Sequence, residues 1–373
     1  MTTMQIVSIL IFVGVMGAII SEKVHRTVAA LTGAVVLICI KVLTVESAVG
    51  YIDFNTIGVL IGMMLFVAVV RNSGLFEFMA IKSAKIAKGN PWKIMLLFTI
   101  LTAVLSAFLD NVTTVLLVGP MAIAIANILG LNPVPFLLAQ ILASNIGGTA
   151  TLIGDPPNIM IGSQAGLSFM DFLVNTGLAV IVILFAVCLC FYFIYGRKMV
   201  VDQAKMDAVM QLDENKSIKD RTLMIKSVVM ICVVVVGFVS HSTLGVESSM
   251  IALGCAVVMM LIGRQSTEEV ILGVEWSTIL FFVGLFIVVG GMVDTGVITM
   301  LGNLLFEVTG GNALMMMLLI LTSVMGYELK TAVGTSVFIM TFTALTGAVS
   351  HFIIGGLPNI LVWVLCVIFT LVW

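Results

Sequence analysis

Long apolar segments separated by short polar ones make up most of the chain. A transmembrane helix needs about 20 mostly apolar residues, and segments of that length recur along the sequence. We interpret eight of them as membrane spans, and the predicted ranges are 4–20, 26–43, 54–70, 134–166 (broken), 171–196, 223–240, 246–262 and 276–293. The more polar segment 71–93 is typical of an amphipathic helix at the membrane surface.

Composition indicates the same class of protein. Hydrophobic residues make up 61% of the chain and charged residues 10%, whereas an average soluble domain is about 25% charged. We therefore expect an all-α polytopic membrane protein. The expected partner on this ground is the lipid bilayer. We expect no cofactor and no nucleic-acid partner, and a homodimer is left open.

Basic residues concentrate in two connections, five of them in 71–93 and seven in 197–226, so these two hold 12 of the 17 lysines and arginines. Cytoplasmic loops of membrane proteins carry an excess of these residues. Both connections are therefore predicted to be cytoplasmic. The predicted location is the cell membrane, with the amino terminus outside and loop 197–226 in the cytoplasm.

An internal repeat relates the two halves of the chain at a constant offset of 222 residues. The matching pairs include Asp53 and Glu275, Gly62 and Gly284, Gly74 and Gly296, Ala30 and Ala252, and Gly89-Asn90 and Gly311-Asn312. Segment 71–93 is basic, but its counterpart 293–315 has no lysine or arginine. Opposite charge bias predicts opposite sides of the membrane, and inverted repeats with discontinuous helices are a secondary-transporter architecture.

The repeat suggests four parts of the chain. We predict a first transmembrane repeat in 1–196, a cytoplasmic linker in 197–226, a partial second repeat in 227–322 and atypical helices in 323–373. The repeat is incomplete because the offset places Ala332-Val333 opposite Asp110-Asn111. We expect mostly continuous helix over 329–352, a further apolar helix over 358–373 and no hairpin with its tip at 331–336.

Two polar breaks interrupt the apolar segments of the first repeat. One is DNVTT at 110–114 and the other is SNIGGTATLIGDPPN at 144–158. A single helix over 92–129 would be about 57 Å long, far more than the hydrocarbon core, so we predict a re-entrant hairpin with its tip at Asp110-Asn111. Unwound backbone at membrane depth survives only inside protein or beside a water-filled cavity. We expect the tip to meet residues 147–155 at mid-membrane.

The two breaks offer hydroxyls, amides and freed carbonyls as ligands for a desolvated ion. Ionisable residues inside a membrane are costly and favour a functional role, which makes Asp110 a candidate proton or sodium carrier. The alternative is a kinked helix packed against protein, with Asp155 capping a helix start. For Thr113, Thr114, Thr149 and Thr151, a hydrogen bond to the backbone is the alternative to ligation.

The sequences AFLDNVTTVLLVGPM and LASNIGGTATLIGDPPNIMIGSQAGLSF resemble the ion transporter superfamily, which includes arsenite permeases, sodium/proton antiporters and citrate transporter-like proteins. The similarity covers about residues 5–320. It implies a two-repeat carrier whose hairpin tips and unwound helices form the site and move by elevator-like rocking. The implied hairpin-tip residues are Asp110, Asn111, Thr113 and Thr114. The implied unwound-helix residues are Ser144, Asn145, Gly147, Gly148, Thr149, Asp155, Pro157 and Asn158. We add Thr151, and leave open a sodium site at Asp110, Asn111 and Asn145, with no other metal site.

The carboxy-terminal stretch LKTAVGTSVFIMTFTALTGAVSHFIIGGLPN at 329–359 resembles sulfite exporter (TauE-like) permeases instead. That resemblance suggests a hybrid chain. It makes a sulfonate permease one alternative function.

The leading hypothesis is a secondary active transporter coupled to protons or sodium. The predicted site contains two acidic residues and no basic one, which favours a cation or a neutral oxyacid such as arsenous acid as the substrate. A free dicarboxylate would be repelled unless cations or helix N-termini offset its negative charge. An organic-anion or citrate permease is the alternative within transport. A non-transporting membrane component that lacks a complete site is the alternative of another class. We expect no enzyme, since the Gly-x-Gly-Asp setting typical of intramembrane aspartyl hydrolases is absent from the sequence.

Overall fold

The computed structural model describes residues 1–310. The predicted helices at 329–352 and 358–373, the excluded hairpin tip at 331–336 and the predicted part 323–373 lie outside the described residues. Six of the described helices are long and apolar enough to cross a membrane. This result confirms an all-α polytopic membrane protein.

The described part of the chain forms seventeen α-helices. The first nine, α1 to α9, are Thr3–Ile20, Arg26–Cys39, Val45–Gly50, Phe54–Arg71, Leu75–Ile86, Pro91–Ser106, Asn111–Leu129, Val134–Gly148 and Pro156–Ala165. The next eight, α10 to α17, are Phe169–Asn175, Gly177–Ile194, Gln203–Met210, Arg221–Leu244, Ser248–Gly263, Thr267–Leu272, Trp276–Asp294 and Val297–Thr309.

Two of the predicted spans differ from the helices observed. The span predicted over 26–43 ends at Cys39, because Lys41 takes a left-handed φ of 60° and the chain folds back to bury Leu43. The span predicted over 171–196 is interrupted at Thr176. The hydroxyl of Thr176 donates to the carbonyl of Phe172 at 2.7 Å, and a new helix starts at Gly177.

The chain divides into two compact units, a split unit of Met1–Ile52 with the residues from Trp276 onward and a central unit of Asp53–Glu275. These units group helices by packing and leave the predicted repeat boundaries as a prediction. In the split unit, helices α1, α2 and α16 enclose an apolar core that includes Val15, Leu37 and Val288.

The central unit contains the predicted hairpin, which is formed by α6 and α7. The start of α6 and the end of α7 share one apolar cluster, since Ile94 and Phe98 lie in it with Ile125 and Leu129. The chain therefore returns to the side from which it entered. Local chemistry fixes both ends of the hairpin: Asn90 caps α6 ahead of Pro91, and Gly130 ends α7 with a φ of 68°.

The two basic connections pack against each other in the central unit. The amide of Lys219 donates to the carbonyl of Ser73 at 3.1 Å. Lys85 and Glu214 form an ion pair. Contacts of this kind require both connections to lie at the same end of the unit. They support the prediction that the two connections share one side of the membrane.

The predicted repeat is visible as the same packing contact in each unit. In the split unit α2 packs against α16, and an added Cβ at Gly284 would lie 2.8 Å from the carbonyl carbon of Ala30. In the central unit α14 packs against α4, and an added Cβ at Gly62 would lie 2.6 Å from the carbonyl carbon of Ala252. Both contacts join residues that the 222-residue offset relates. Residues that are related by the repeat in the sequence therefore make equivalent helix contacts in the structure.

Candidate functional site

The two predicted breaks exist and meet inside the central unit. Helix α6 ends at Ser106 and α7 starts at Asn111, while α8 ends at Gly148 and α9 starts at Pro156. The Ser106 hydroxyl donates to the carbonyl of Ser144 at 2.7 Å. The Thr151 hydroxyl donates to the carbonyl of Ala107. The hairpin tip therefore lies against the unwound part of the broken helix, as the sequence predicts.

Asp110 is half-buried at the start of α7, where it caps the helix. Its Oδ1 accepts a hydrogen bond from the backbone N–H of Thr113 at 2.9 Å, which satisfies one of the free donors of the first helical turn. Its Oδ2 has no hydrogen-bond partner among residues 1–310. One carboxylate oxygen therefore fixes the tip, and the other is left for an ion or a proton.

Asn111 joins the hairpin tip to the broken helix. Its Nδ2 donates to Oδ1 of Asn145 at 3.0 Å, and Nδ2 of Asn145 donates to the carbonyl of Ile141 at 2.8 Å. Both assignments rest on the amide orientation that the hydrogen-bond network favours. In this arrangement Oδ1 of Asn111 remains a free acceptor beside Asp110, while Oδ1 of Asn145 is shared with Asn111.

The four candidate threonines divide into two groups. The hydroxyls of Thr114, Thr149 and Thr151 each donate to a backbone carbonyl within the described residues. Their observed role is the structural alternative that the sequence left open. The hydroxyl of Thr113 has no such bond in the described part of the chain. Thr113 is therefore the threonine best placed to contribute a ligand.

Glycines allow the break to pack closely on the hairpin. An added Cβ at Gly147 would lie 2.1 Å from the carbonyl oxygen of Ala103, and one at Gly154 would lie 2.4 Å from the carbonyl oxygen of Gly148. The amide of Asn158 then closes the break, since its Nδ2 donates to the carbonyls of Gly148 at 3.1 Å and Thr151 at 2.9 Å. The carbonyls that unwinding frees at these two positions thus have a donor inside the site.

Asp155 occupies the capping position of α9, but its side chain makes no capping hydrogen bond. The carboxylate is half-buried, and it follows Gly154, where an added Cβ would lie 2.7 Å from the carbonyl oxygen of Ser106 at the end of α6. Pro157, in the first turn of the same helix, is exposed. The cap predicted as the structural alternative for Asp155 is therefore not formed. Two half-buried carboxylates in a stretch that has no lysine or arginine between residues 94 and 196 favour binding of a cation.

A small cavity of about 10 Å³ borders Asp110. A volume of this size holds roughly one water molecule. Apart from Asp110 its walls are apolar, and the lining residues are Val59, Leu60, Met63, Met64, Val67, Leu109, Ile153 and Ile159. The first five belong to the middle of α4, so the free side of the tip faces this helix. The cavity accommodates one small ion or a single water beside the carboxylate.

Three buried polar residues near the tip were missed at the sequence level. Ser106 holds α8 through its hydroxyl, and the hydroxyl of Thr102 donates to Oε1 of Gln140. All three side chains are fully buried. A signal exists in the sequence, because Thr99, Thr102 and Ser106 recur at helical spacing within an apolar run. Polar side chains commonly join helices inside membranes.

Comparisons with known proteins agree with this architecture. A sequence model of a family described as citrate transporters matches residues 16–368. The match includes most of 323–373 and gives no support to the resemblance to sulfite exporters. Relatives include an uncharacterized transporter of Mycobacterium tuberculosis, 38% identical over 95% of this chain and 83% of its own length. The 46 kDa membrane protein of Mycobacterium leprae is 36% identical over 95% and 82%. The P protein of Sus scrofa is 30% identical over 80% and 44%.

Proposed function

We propose that this chain, which belongs to the citrate transporter family, is a secondary active transporter that moves a small cation or a neutral oxyacid coupled to protons or sodium ions. Its family and its relatives are transporters. The substrate, the coupling ion and the residues that bind them are the proposal.

The observation that carries the proposal is the pairing of Asp110 with Asp155 at the junction of the two breaks. Each aspartate stands immediately before the helix that follows one of the breaks, and no lysine or arginine occurs between residues 94 and 196. A partly buried carboxylate is costly to keep charged unless a cation or proton neutralises it. Binding of a proton or sodium ion at Asp110 therefore lowers the cost of moving the loaded tip through the membrane.

The size of the cavity beside Asp110 supports a small ligand. Its volume of about 10 Å³ suits one water molecule or one desolvated monovalent cation. Asp110 is the residue whose carboxylate oxygens are available to such an ion inside the cavity. Hard cations prefer oxygen ligands of this kind. We therefore place the coupling ion at the Asp110 carboxylate, and Asn111 Oδ1 and the Thr113 hydroxyl belong to the next residues of the tip, outside the cavity lining.

Citrate or another organic anion is the second candidate, and the family description favours it. Helices α7 and α9 both start at the site, and helix N-termini attract anions. Each of these termini already carries an aspartate at its capping position. A carboxylate substrate would therefore need an accompanying cation to offset the two negative charges.

Uptake by the purified full chain in sealed liposomes tests the proposal. Radiolabelled sodium, arsenite and citrate would each be supplied under a pH gradient alone and under a sodium gradient alone. We expect one gradient to drive accumulation of sodium or arsenite above that in liposomes without protein. Accumulation of citrate alone would overturn this assignment in favour of the second candidate. Failure of all three substrates under both gradients would reject both.

A further inference from the structure

A second cavity lies in the central unit, at the end opposite the basic connections. It has a volume of about 290 Å³. Its walls come from the start of α4, the end of α13, the start of α14 and the turn between α9 and α10. The basic connections follow the end of α4 and precede the start of α13, so the cavity lies at the other end of both helices. We call it the polar vestibule, and its polar lining residues include Asn55, Ser163, Ser168, His241, Glu247 and Ser248.

The vestibule is polar and carries an acidic group. Oδ1 of Asn55 accepts hydrogen bonds from the Ser249 backbone at 3.0 Å and the Ser248 hydroxyl at 3.2 Å, which holds the start of α14 in place. Nδ1 of His241 is hydrogen-bonded to the carbonyl of Phe238 at 2.7 Å, and Nε2 takes no part in that bond. No lysine or arginine lines the cavity. This lining favours water and small cations over anions.

The vestibule and the cavity beside Asp110 share one lining residue. Ile159 lines both spaces, and it is only 1% exposed. Next to it, Leu152 lines the vestibule and Ile153 lines the smaller cavity. The barrier between the aqueous end of the unit and the Asp110 carboxylate is therefore a single layer of branched apolar side chains.

We infer that the polar vestibule is the route by which a small hydrated cation reaches Asp110 from the side opposite the basic connections, and that Ile159 is the gate of this route. The inference rests on the proposed function, and it adds a side of access and a gating residue. An apolar gate admits a hydrated ion only when its side chain moves aside. Glu247 at the mouth raises the local concentration of cations by attracting them.

Cysteine labelling tests the route without requiring transport. In a full chain whose six natural cysteines are replaced by serine, Ser163→Cys reports the vestibule and Leu109→Cys reports the cavity beside Asp110. Silver ion, a thiol-reactive monovalent cation small enough for a cavity of about 10 Å³, would be added to one side of sealed vesicles at a time. We expect Ser163→Cys to react only from the side opposite the basic connections, and Leu109→Cys to react slowly from that same side.

The gate is tested by Ile159→Ala in the Leu109→Cys background. We expect the labelling rate to rise about tenfold, which corresponds to a modest lowering of the barrier, and Ile159→Val should give a smaller rise. Ile161→Ala is the matched control, because Ile161 lies on the same helix with its side chain 54% exposed, and it should leave the rate unchanged. An unchanged Ser163→Cys rate in the Ile159→Ala protein shows that the unit stays folded.

Either of two results would overturn the route. One is an equal Leu109→Cys rate with and without Ile159→Ala, and the other is labelling of Leu109→Cys only from the side of the basic connections. The proposed function fails separately, because labelling does not depend on flux. Normal gated labelling together with absent uptake would reject the transport proposal and keep the route.

Discussion

The side-chain amide of Asn111 donates to the side-chain carbonyl of Asn145 across 3.0 Å, which ties the first residue of α7 to the last turn of α8. Asn111 directly follows Asp110, the residue assigned to the coupling ion. The contact also leaves Oδ1 of Asn111 directed away from its partner. The Asn111–Asn145 pair is thus a link between the two halves of the candidate site.

Removing either amide should weaken sodium binding if this link positions the ion ligands. We expect Asn111→Ala and Asn145→Ala each to raise the sodium concentration for half-maximal uptake by about fivefold, because loss of one hydrogen bond between neutral groups costs about 1 kcal/mol. The double variant should raise it by less than the product of the two, because the residues act together. Asn127→Ala, at the far end of α7, is the control and should have no effect. A fully multiplicative double variant would show that the two residues act independently.

The repeat predicts equal sensitivity at two distant glycines. Gly62→Ala and Gly284→Ala each push a methyl group into the backbone of the partner helix, so we expect each to lower the free energy of unfolding by about 1–3 kcal/mol. Gly254→Ala is the matched control, since nothing lies within 4 Å of its added Cβ, and it should be neutral or slightly stabilising. Thermal unfolding in detergent measures all three. A large loss at one repeat-related glycine and none at the other would contradict the shared packing.

Inversion of the repeat predicts opposite sides for two exposed stretches. Segment 71–93 is basic, whereas its counterpart 293–315 has no lysine or arginine, and this opposite charge bias predicts opposite sides of the membrane. Asn215→Cys, in the loop 197–226, and Asn303→Cys should therefore react with an impermeant thiol reagent from opposite sides. Reaction of both variants from the same side would contradict the inverted topology.

Acid should loosen the contact between the two basic connections. The hydrogen bond from Lys85 lowers the pKa of Glu214 below its ordinary value of 4.5. Because the folded-state pKa is the lower one, the stabilisation is complete above the ordinary value and is lost as the pH falls through the folded-state pKa. We expect hydrogen exchange in 203–217 to rise on acidification below about pH 4.5. Glu214→Gln should show the higher exchange already at neutral pH, while Asp207→Asn should behave like the wild type.

The sequence was sufficient for the parts of the site that depend on local chemistry. Asp110 before Asn111 is a helix-capping signal, and Pro156-Pro157 favours the start of a new helix, so the existence of both breaks could be predicted. The breaks are shorter than predicted, because the unwound residues are 107–110 and 149–155, whereas 111–114 and 144–148 are helical. What the sequence did not reveal depends on distant partners. The role of Ser106 depends on a hydrogen bond to Ser144, which lies 38 residues away in the sequence. The end of α2 likewise depends on Lys41 adopting a positive φ, which propensity does not predict.

The most direct test of the central claim is substrate-driven proton or sodium movement in liposomes that contain the purified chain, compared with Asp110→Asn. Asparagine caps helices about as well as aspartate, so the variant keeps the start of α7 and loses only the charge. Asp207→Asn is the matched control, because that carboxylate lies on α12 in the connection 197–226, where it accepts a hydrogen bond from Gln203. The account predicts wild-type coupled flux in Asp207→Asn and the flux of empty liposomes in a folded Asp110→Asn protein. Coupled flux with unchanged pH dependence in Asp110→Asn would contradict it.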